Sequence, residues 1–233
     1  MRRDEFELLA AHYGPATMIE ALRPYVTAQR QERIEAVLRG RLSGLEVAIE
    51  RPYDPHNAAA VVRSAEALGA WAVHVIAASD RILRAPGTTM GTHNWIDTVQ
   101  HRSLDEFLQR SRRAGMLLAG ACVDATHMLD ELPIDRPICL LFGNEHAGLS
   151  AAAQAACEVR FRIPIYGFAE SYNMSVAAAL SLYATSSRMR AQLGAAGDLD
   201  EVGCELERAR YYYRSVDERH ARALFPAPPS ARG

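Results

Sequence analysis

A chain of 233 residues, 49% of them hydrophobic, can bury roughly 70 to 75% of its unfolded surface and needs no disulfide or metal staple. The net charge of −2 excludes a polybasic nucleic-acid binder of the ordinary kind, and four scattered cysteines, Cys122, Cys139, Cys157 and Cys204, without a Cys-x-x-Cys pair exclude a cysteine zinc or dithiol motif. No apolar run reaches the ~18 residues of a membrane span, and the opening MRRDEFELLAAHYG has no apolar signal core, so a cytoplasmic protein with reduced thiols and no membrane partner is expected.

In chain order, residues 4 to 41 read as helical, with apolar positions at three and four spacing (Phe6, Leu8, Leu9; Ile34, Val37, Leu38) and breaks at Gly14-Pro15 and Pro24. From Leu45 short apolar runs take over: LEVAIE, AVHVIA at 72 to 77, MLLAGACV at 116 to 123, PICLLFG at 137 to 143 and VRFRIPI at 159 to 165. Helix candidates at 57 to 69, 103 to 114, 150 to 158 and 174 to 191 fall between or after them. Strands apolar on both faces and separated by helices imply an α/β fold, a parallel sheet with helices on both faces. Gly194 to Gly197 ends the last core helix, Asp198 to Leu224 reads as one further charged helix, and the tyrosine run 211 to 213 on it is expected to pack against a partner surface or, less favoured, to stack on RNA. The tail FPAPPSARG is too proline-rich to predict as ordered.

All 26 basic residues are arginine. Either codon bias or a use for bidentate phosphate and base contacts accounts for this. The groupings Arg81 with Arg84, Arg110 with Arg112 and Arg113, Arg160 with Arg162, and Arg188 with Arg190 allow a locally basic groove on an acidic chain.

Three stretches put polar residues and glycines where a buried strand hands over to a helix, which is where open α/β sheets bind ligands. In PHNAAAVVRSAEALG, Asn57 suits a helix N-cap, and Arg63 lies in an alanine- and valine-rich helix where a guanidinium must be paired or must snorkel to solvent. In GNEHAGLS, Gly143 ends a strand, Glu145 is the acid of the turn, and Gly148 permits a backbone closed to other residues; Glu145 either holds the turn or acts directly. In IPIYGFAESYNMSV, Ser171, Asn173 and Ser175 alternate before an alanine-rich helix, where capping and ligand contact coincide.

Together these stretches resemble the three motifs of the SpoU/TrmH family of RNA ribose 2′-O-methyltransferases, and the likeness to its TrmH-type tRNA enzymes covers about residues 30 to 190, including DRILRAPGTTMGTHNWIDTVQHRSLDEFL. The resemblance implies a SPOUT-type sheet with a deep trefoil knot over about 138 to 180, within a core of 44 to 192 flanked by helical extensions 1 to 43 and 193 to 233. It also implies S-adenosyl-L-methionine as cofactor, no metal, a homodimer with the site completed across its interface, and tRNA as partner with the D-loop guanosine at tRNA nucleotide eighteen as target. By the same resemblance Arg63 is the catalytic arginine, supported by Asn57, Glu145, Ser171 and Asn173, and the cofactor lies against Gly120, Leu141, Gly143, Ile163, Ile165, Tyr172 and Met174. Gly120 stands where the family often has threonine, and Tyr172 where it has leucine.

The alternatives are a ribosomal RNA substrate and a non-catalytic RNA-binding relative. A nicotinamide oxidoreductase would need a Gly-x-Gly-x-x-Gly after the first strand, which is absent from the sequence. DNA, lacking the 2′-hydroxyl, is not an expected substrate.

Overall fold

The computed structural model describes residues 1, 3–78 and 94–227. The Arg81 and Arg84 grouping, much of the 80 to 108 stretch and the end of the tail lie outside the described residues. In chain order the elements are α1 Arg3–Tyr13, α2 Pro15–Leu22, α3 Ala28–Leu38, β1 Leu42–Glu50, α4 Pro55–Ala67, β2 Ala70–Ile76, β3 Asp97–His101, α5 Leu104–Arg113 and β4 Leu117–Ala121. They continue with β5 His127–Met128, β6 Ile138–Phe142, α6 Ala151–Ala156, β7 Val159–Arg162, α7 Met174–Leu193, α8 Glu201–Ser215 and α9 Glu218–Leu224.

The chain forms two compact units, Met1–Arg41 with the residues from Gly197 onward, and Leu42–Ala196. In the second unit the strands among the described residues form one seven-stranded sheet in the order β3-β2-β1-β6-β4-β7-β5, and each neighbouring pair is parallel. This is the expected α/β architecture. β1 alternates between two cores: Leu45, Val47 and Ile49 pack with residues of α4 and α7 on one face, and Ala48 packs with Phe107 of α5 and Ala153 of α6 on the other. Helices on both faces are what a parallel sheet of apolar strands requires.

β3 and β5 carry no apolar run and were not among the expected strands. β3 is an edge strand of sequence DTVQH with only its two ends buried, and β5 has two residues; neither carries the periodic burial that marks a strand in sequence.

One polar chain crosses the α5 face of the sheet. Glu46 of β1 accepts a bidentate pair from Arg110 of α5, the second bond at 2.7 Å, and lies 3.0 Å from His74 Nε2. His74 Nδ1 is in turn 3.0 Å from His101 Nε2, and Phe107 packs against both imidazoles. Burial alone would raise the Glu46 pKa, but the His74 and Arg110 hydrogen bonds and charges together hold it down at about 2.

The first unit is helical. The break expected at Gly14-Pro15 is real, with Gly14 at φ 81 ahead of α2. The single helix expected over 198 to 224 is two, because Val216 is extended and Asp217 caps α9 by accepting the backbone N–H groups of Arg219 and His220. Tyr211, Tyr212 and Tyr213 are all buried within this chain, which corrects the expectation of an external partner for them. Three consecutive helical residues sweep roughly 200° of the helix surface, so α8 is covered over more than half its circumference. Phe6 meets Tyr213 edge-on at 5.8 Å, and Arg41 Nε donates to the Tyr211 hydroxyl at 3.0 Å. Glu207 pairs with Arg3 at 2.8 Å and Arg210 at 2.6 Å.

Candidate active site

Parallel strands deliver their carboxyl ends to one edge. β1 and β6 are neighbours there, with Ile49 opposite Phe142, and the chain leaves them in opposite directions, through α4 to β2 on one side and through α6 toward β7 on the other. That is the topological switch point where open α/β sheets form a crevice.

The three polar stretches meet at this edge. Asp54, not Asn57, caps α4, its side chain accepting the His56 N–H at 2.8 Å; Pro55 suits the first helical position and starts the helix earlier than expected. Relieved of capping, the Asn57 carboxamide donates from Nδ2 to Glu145 Oε1 at 3.0 Å and accepts on Oδ1 from Asn173 Nδ2 at 3.2 Å. Glu145 also accepts the backbone N–H of Tyr53 at 2.8 Å and of Asp54 at 3.2 Å. Burial pushes the Glu145 pKa up, but the donors, Asn57 first and then Tyr53, outweigh it and hold the carboxylate below its ordinary value. Asn173 is the N-cap of α7, with Oδ1 accepting from the backbone N–H of Ser175 at 2.9 Å and from its hydroxyl at 2.7 Å.

Two expected members stand apart from this triplet. Ser171 is exposed and lies outside the hydrogen-bonded set. Arg63 is exposed on α4, and six residues of helix set it about 9 Å along the axis from Asn57 and about 120° around it.

Residues that the sequence reading passed over hold the loops in place. Buried Glu50, at the end of β1, accepts both the backbone N–H of Ser150 at 2.8 Å and its hydroxyl at 2.7 Å. Asn144 Nδ2 donates to the Arg51 carbonyl at 2.8 Å, while its Oδ1 accepts the His146 N–H at 2.9 Å. Arg51 has φ 48, an uncommon left-handed conformation for a side-chain-bearing residue, and it turns the chain out of β1 toward Tyr53. An acid closing an apolar strand and an asparagine after a strand-ending glycine were the available signals.

The residues expected to line a cofactor share the same edge through strand register. Gly120 of β4 pairs with Leu141 of β6 and with Arg160 of β7, so Gly143 and Ile163 leave the strand ends on either side of β4. A Cβ on Gly143 would lie 2.0 Å from the Gly148 carbonyl carbon, because the Asn144 to Gly148 turn folds back over it with hydrogen bonds of 3.0 and 2.8 Å. A Cβ on Gly120 would meet Cys157 Sγ at 2.7 Å, so the thiol fills the space that a larger side chain would need. Leu141 and Met174 are buried in the cores, leaving their main chain and the half-buried Ile163 and Ile165 toward the edge. The Tyr172 hydroxyl donates to the Pro164 carbonyl at 3.1 Å and pins that loop. Backbone groups beside apolar side chains fit a ligand that combines an adenine with a charged amino-acid end. Among the described residues no group of His, Cys, Asp or Glu has the arrangement to hold a metal ion, and no helix is long and apolar enough to cross a membrane.

A seven-stranded parallel sheet with a polar triplet and a glycine-closed turn at its switch point is the α/β architecture that binds ligands at the carboxyl edge of its strands. Residues 44–183 match the SpoU rRNA Methylase family, and the chain belongs to that family. A tRNA (guanosine(18)-2′-O)-methyltransferase of Borreliella burgdorferi is 31% identical over 202 residues, 85% of this chain and 90% of that protein. The A. aeolicus TrmH/SpoU tRNA modifying enzyme superposes with a TM-score of 0.71 at 26% identity, covering 81% of this chain and 98% of that one. AviRb, a SpoU methyltransferase from Streptomyces viridochromogenes in complex with the cofactor AdoMet, gives 0.58 at 30% identity, covering 66% of this chain and 62% of its own.

Proposed function

We propose that this chain transfers a methyl group from S-adenosylmethionine to the ribose 2′-hydroxyl of guanosine 18 in the tRNA D-loop. The observation that carries the reading is the hydrogen-bonded triplet of Asn57, Glu145 and Asn173, one residue from each motif, at the carboxyl edge of the sheet. The relatives of like length that carry this substrate in their names support the tRNA assignment, and the AdoMet-bound relative supports the cofactor.

When bound, the cofactor supplies a methyl on a positively charged sulfur that an oxygen nucleophile attacks in line. Gly143 and the backbone of the 163 to 174 loop, with Gly120, Leu141, Ile163, Ile165, Tyr172 and Met174, hold it. The neutral hydroxyl is a weak nucleophile and must lose its proton as the new bond forms. Arg63 serves this step as a cation: its charge lowers the pKa of the hydroxyl, or engages an RNA phosphate that takes the proton. Asn57, Glu145, Ser171 and Asn173 position the sugar and the two loops.

The active form is a cytoplasmic homodimer in which a second copy completes the site. The exposed setting of Arg63 on α4 supports this, as does a stripe on α7, where Val176, Leu180 and Tyr183 are 46%, 40% and 64% exposed at the spacing of one helix face. Residues 138 to 180 form a trefoil knot within a core of 44 to 192, and the extensions 1 to 43 and 193 to 233 receive tRNA. The insertion of β6 between the earlier strands β1 and β4 supports the knot. A ribosomal RNA target is the second reading, favoured by the family's own description.

Incubation with unmodified tRNA and labelled cofactor, followed by mapping of the methyl group, tests this. Transfer is expected at guanosine 18 and on no DNA analogue; methylation confined to ribosomal RNA would replace the tRNA reading. Arg63→Ala should lower transfer by at least about a hundredfold with cofactor binding within a few fold, and equal loss of both would reassign the arginine to structure.

A further inference from the structure

Tyr53 and His146 are an aromatic pair with no role in the core. Tyr53 is 71% exposed and His146 is also exposed, yet their rings sit edge to face with centroids 5.0 Å apart. Both are held by their backbones. The Tyr53 N–H donates to Glu145 Oε2 at 2.8 Å, and the His146 N–H donates to Asn144 Oδ1 at 2.9 Å. The rings therefore stand on the same two turns that bring Asn57 and Glu145 together, and the turns are fixed without them.

We propose that Tyr53, steadied edge-on by His146, is a stacking platform for the base of the nucleotide whose ribose is methylated. The inference rests on the ribose-methylation reading and names a recognition residue for it. In a nucleoside the base is joined to the carbon next to the one bearing the 2′-hydroxyl, so a ring held beside the polar triplet is within reach of the target's own base. Single-stranded RNA bases are read by stacking on aromatic side chains. These turns carry the carboxylates of Asp54 and Glu145 and a cation, Arg51, whose guanidinium faces Glu50 at 3.7 Å, so the exposed ring of Tyr53 offers its apolar face to a neutral base. An edge-to-face arrangement also fixes the ring plane before the RNA arrives, so less side-chain freedom is lost on binding.

The test uses full-length protein with S-adenosylhomocysteine and a tRNA transcript carrying 2-aminopurine at position 18. Wild type is expected to quench the fluorophore, Tyr53→Ala to lose most of the quench, and Tyr53→Phe and Tyr53→Trp to keep it. In turnover with unmodified transcript, Tyr53→Ala should raise KM for RNA about ten- to hundredfold while affinity for S-adenosylhomocysteine stays within twofold. Tyr53→Phe as impaired as Tyr53→Ala would assign the role to the hydroxyl and overturn the platform. So would an unchanged KM in Tyr53→Ala, or a parallel loss of cofactor affinity, which would make the residue a support for the loop. Wild type that methylates no RNA at all would instead sink the reading beneath it.

Discussion

Glu46 and Glu145 belong to neighbouring parts of one sheet and are bound in opposite ways. Glu46 lies in the middle of β1 against a guanidinium and an imidazole, with its pKa held at about 2. Glu145 lies past the end of β6, where backbone N–H groups and a carboxamide hold it more mildly below its ordinary value. A carboxylate matched by cations inside a sheet is committed to the fold. One matched by neutral donors at the carboxyl edge fixes two loops and leaves its surroundings open to a ligand.

The sharpest way to break this contrast is to remove the cation from the interior. Arg110→Ala leaves the Glu46 carboxylate buried with His74 alone, and breaking a buried pair in this way costs about 3 to 5 kcal/mol, read by denaturant unfolding. Methyl transfer by the fraction that remains folded should stay within a few fold. Intact stability with lost transfer would mean that the interior carboxylate, not the one at the edge, serves the reaction.

Acid should act on the same chain of groups. The folded-state pKa of Glu46 lies below its ordinary 4.5, so its ionised form contributes in full above pH 4.5 and the contribution disappears as pH falls toward 2, about 3 kcal/mol in all at 1.36 kcal/mol per pKa unit. His101 is pushed from 6.5 to about 4, first by burial and then by the proximity of His74. The unfolded chain therefore takes up that proton before the folded one does, and stability is lost as pH drops from 6.5 to 4. Unfolding free energy should be level above about pH 6.5 and descend in these two stages, with His101→Gln removing the upper stage; a curve level down to pH 4.5 in the wild type would show that His101 titrates normally.

These two settings were unequally legible in the sequence. LEVAIE and PICLLFG read as buried strands because their apolar residues outnumber everything else, and the helices between them followed from periodicity. Glu46 and His74 sat inside such runs with nothing to mark them as partners, since a parallel pairing between distant segments leaves no local signature. β3 was missed for the converse reason: at a sheet edge only Asp97 and His101 are buried, and neither is apolar. At the site, Asn57, Glu145 and Asn173 were legible because side chains of fixed spacing carry the motif. Asn144 and Arg51 work through backbone N–H and carbonyl groups, which any residue supplies, and Glu50 through the N–H and hydroxyl of Ser150, a hundred residues away, so only the folded chain reveals them. Asn57 was read as a cap because its type suits one; Asp54, three residues earlier and followed by proline, holds that place.

The smallest expected effect on stability sharpens the other half of the contrast. Glu145→Gln keeps the shape of the side chain but replaces one accepting oxygen with a donating NH2, which then faces a backbone N–H of Tyr53 or Asp54 or the Nδ2 of Asn57. Losing a charge-assisted bond at a half-buried site costs about 1 to 2 kcal/mol, below the cost expected for Arg110→Ala. The effect on methyl transfer should nonetheless be larger, about a hundredfold, because a shift of either turn displaces Asn57 from Asn173, while S-adenosylhomocysteine held by the 163 to 174 loop still binds within a few fold. Unfolding, transfer and cofactor titration on the same preparation decide it. A loss of stability comparable to that of Arg110→Ala with transfer spared would place Glu145 with Glu46 among the residues that hold the fold.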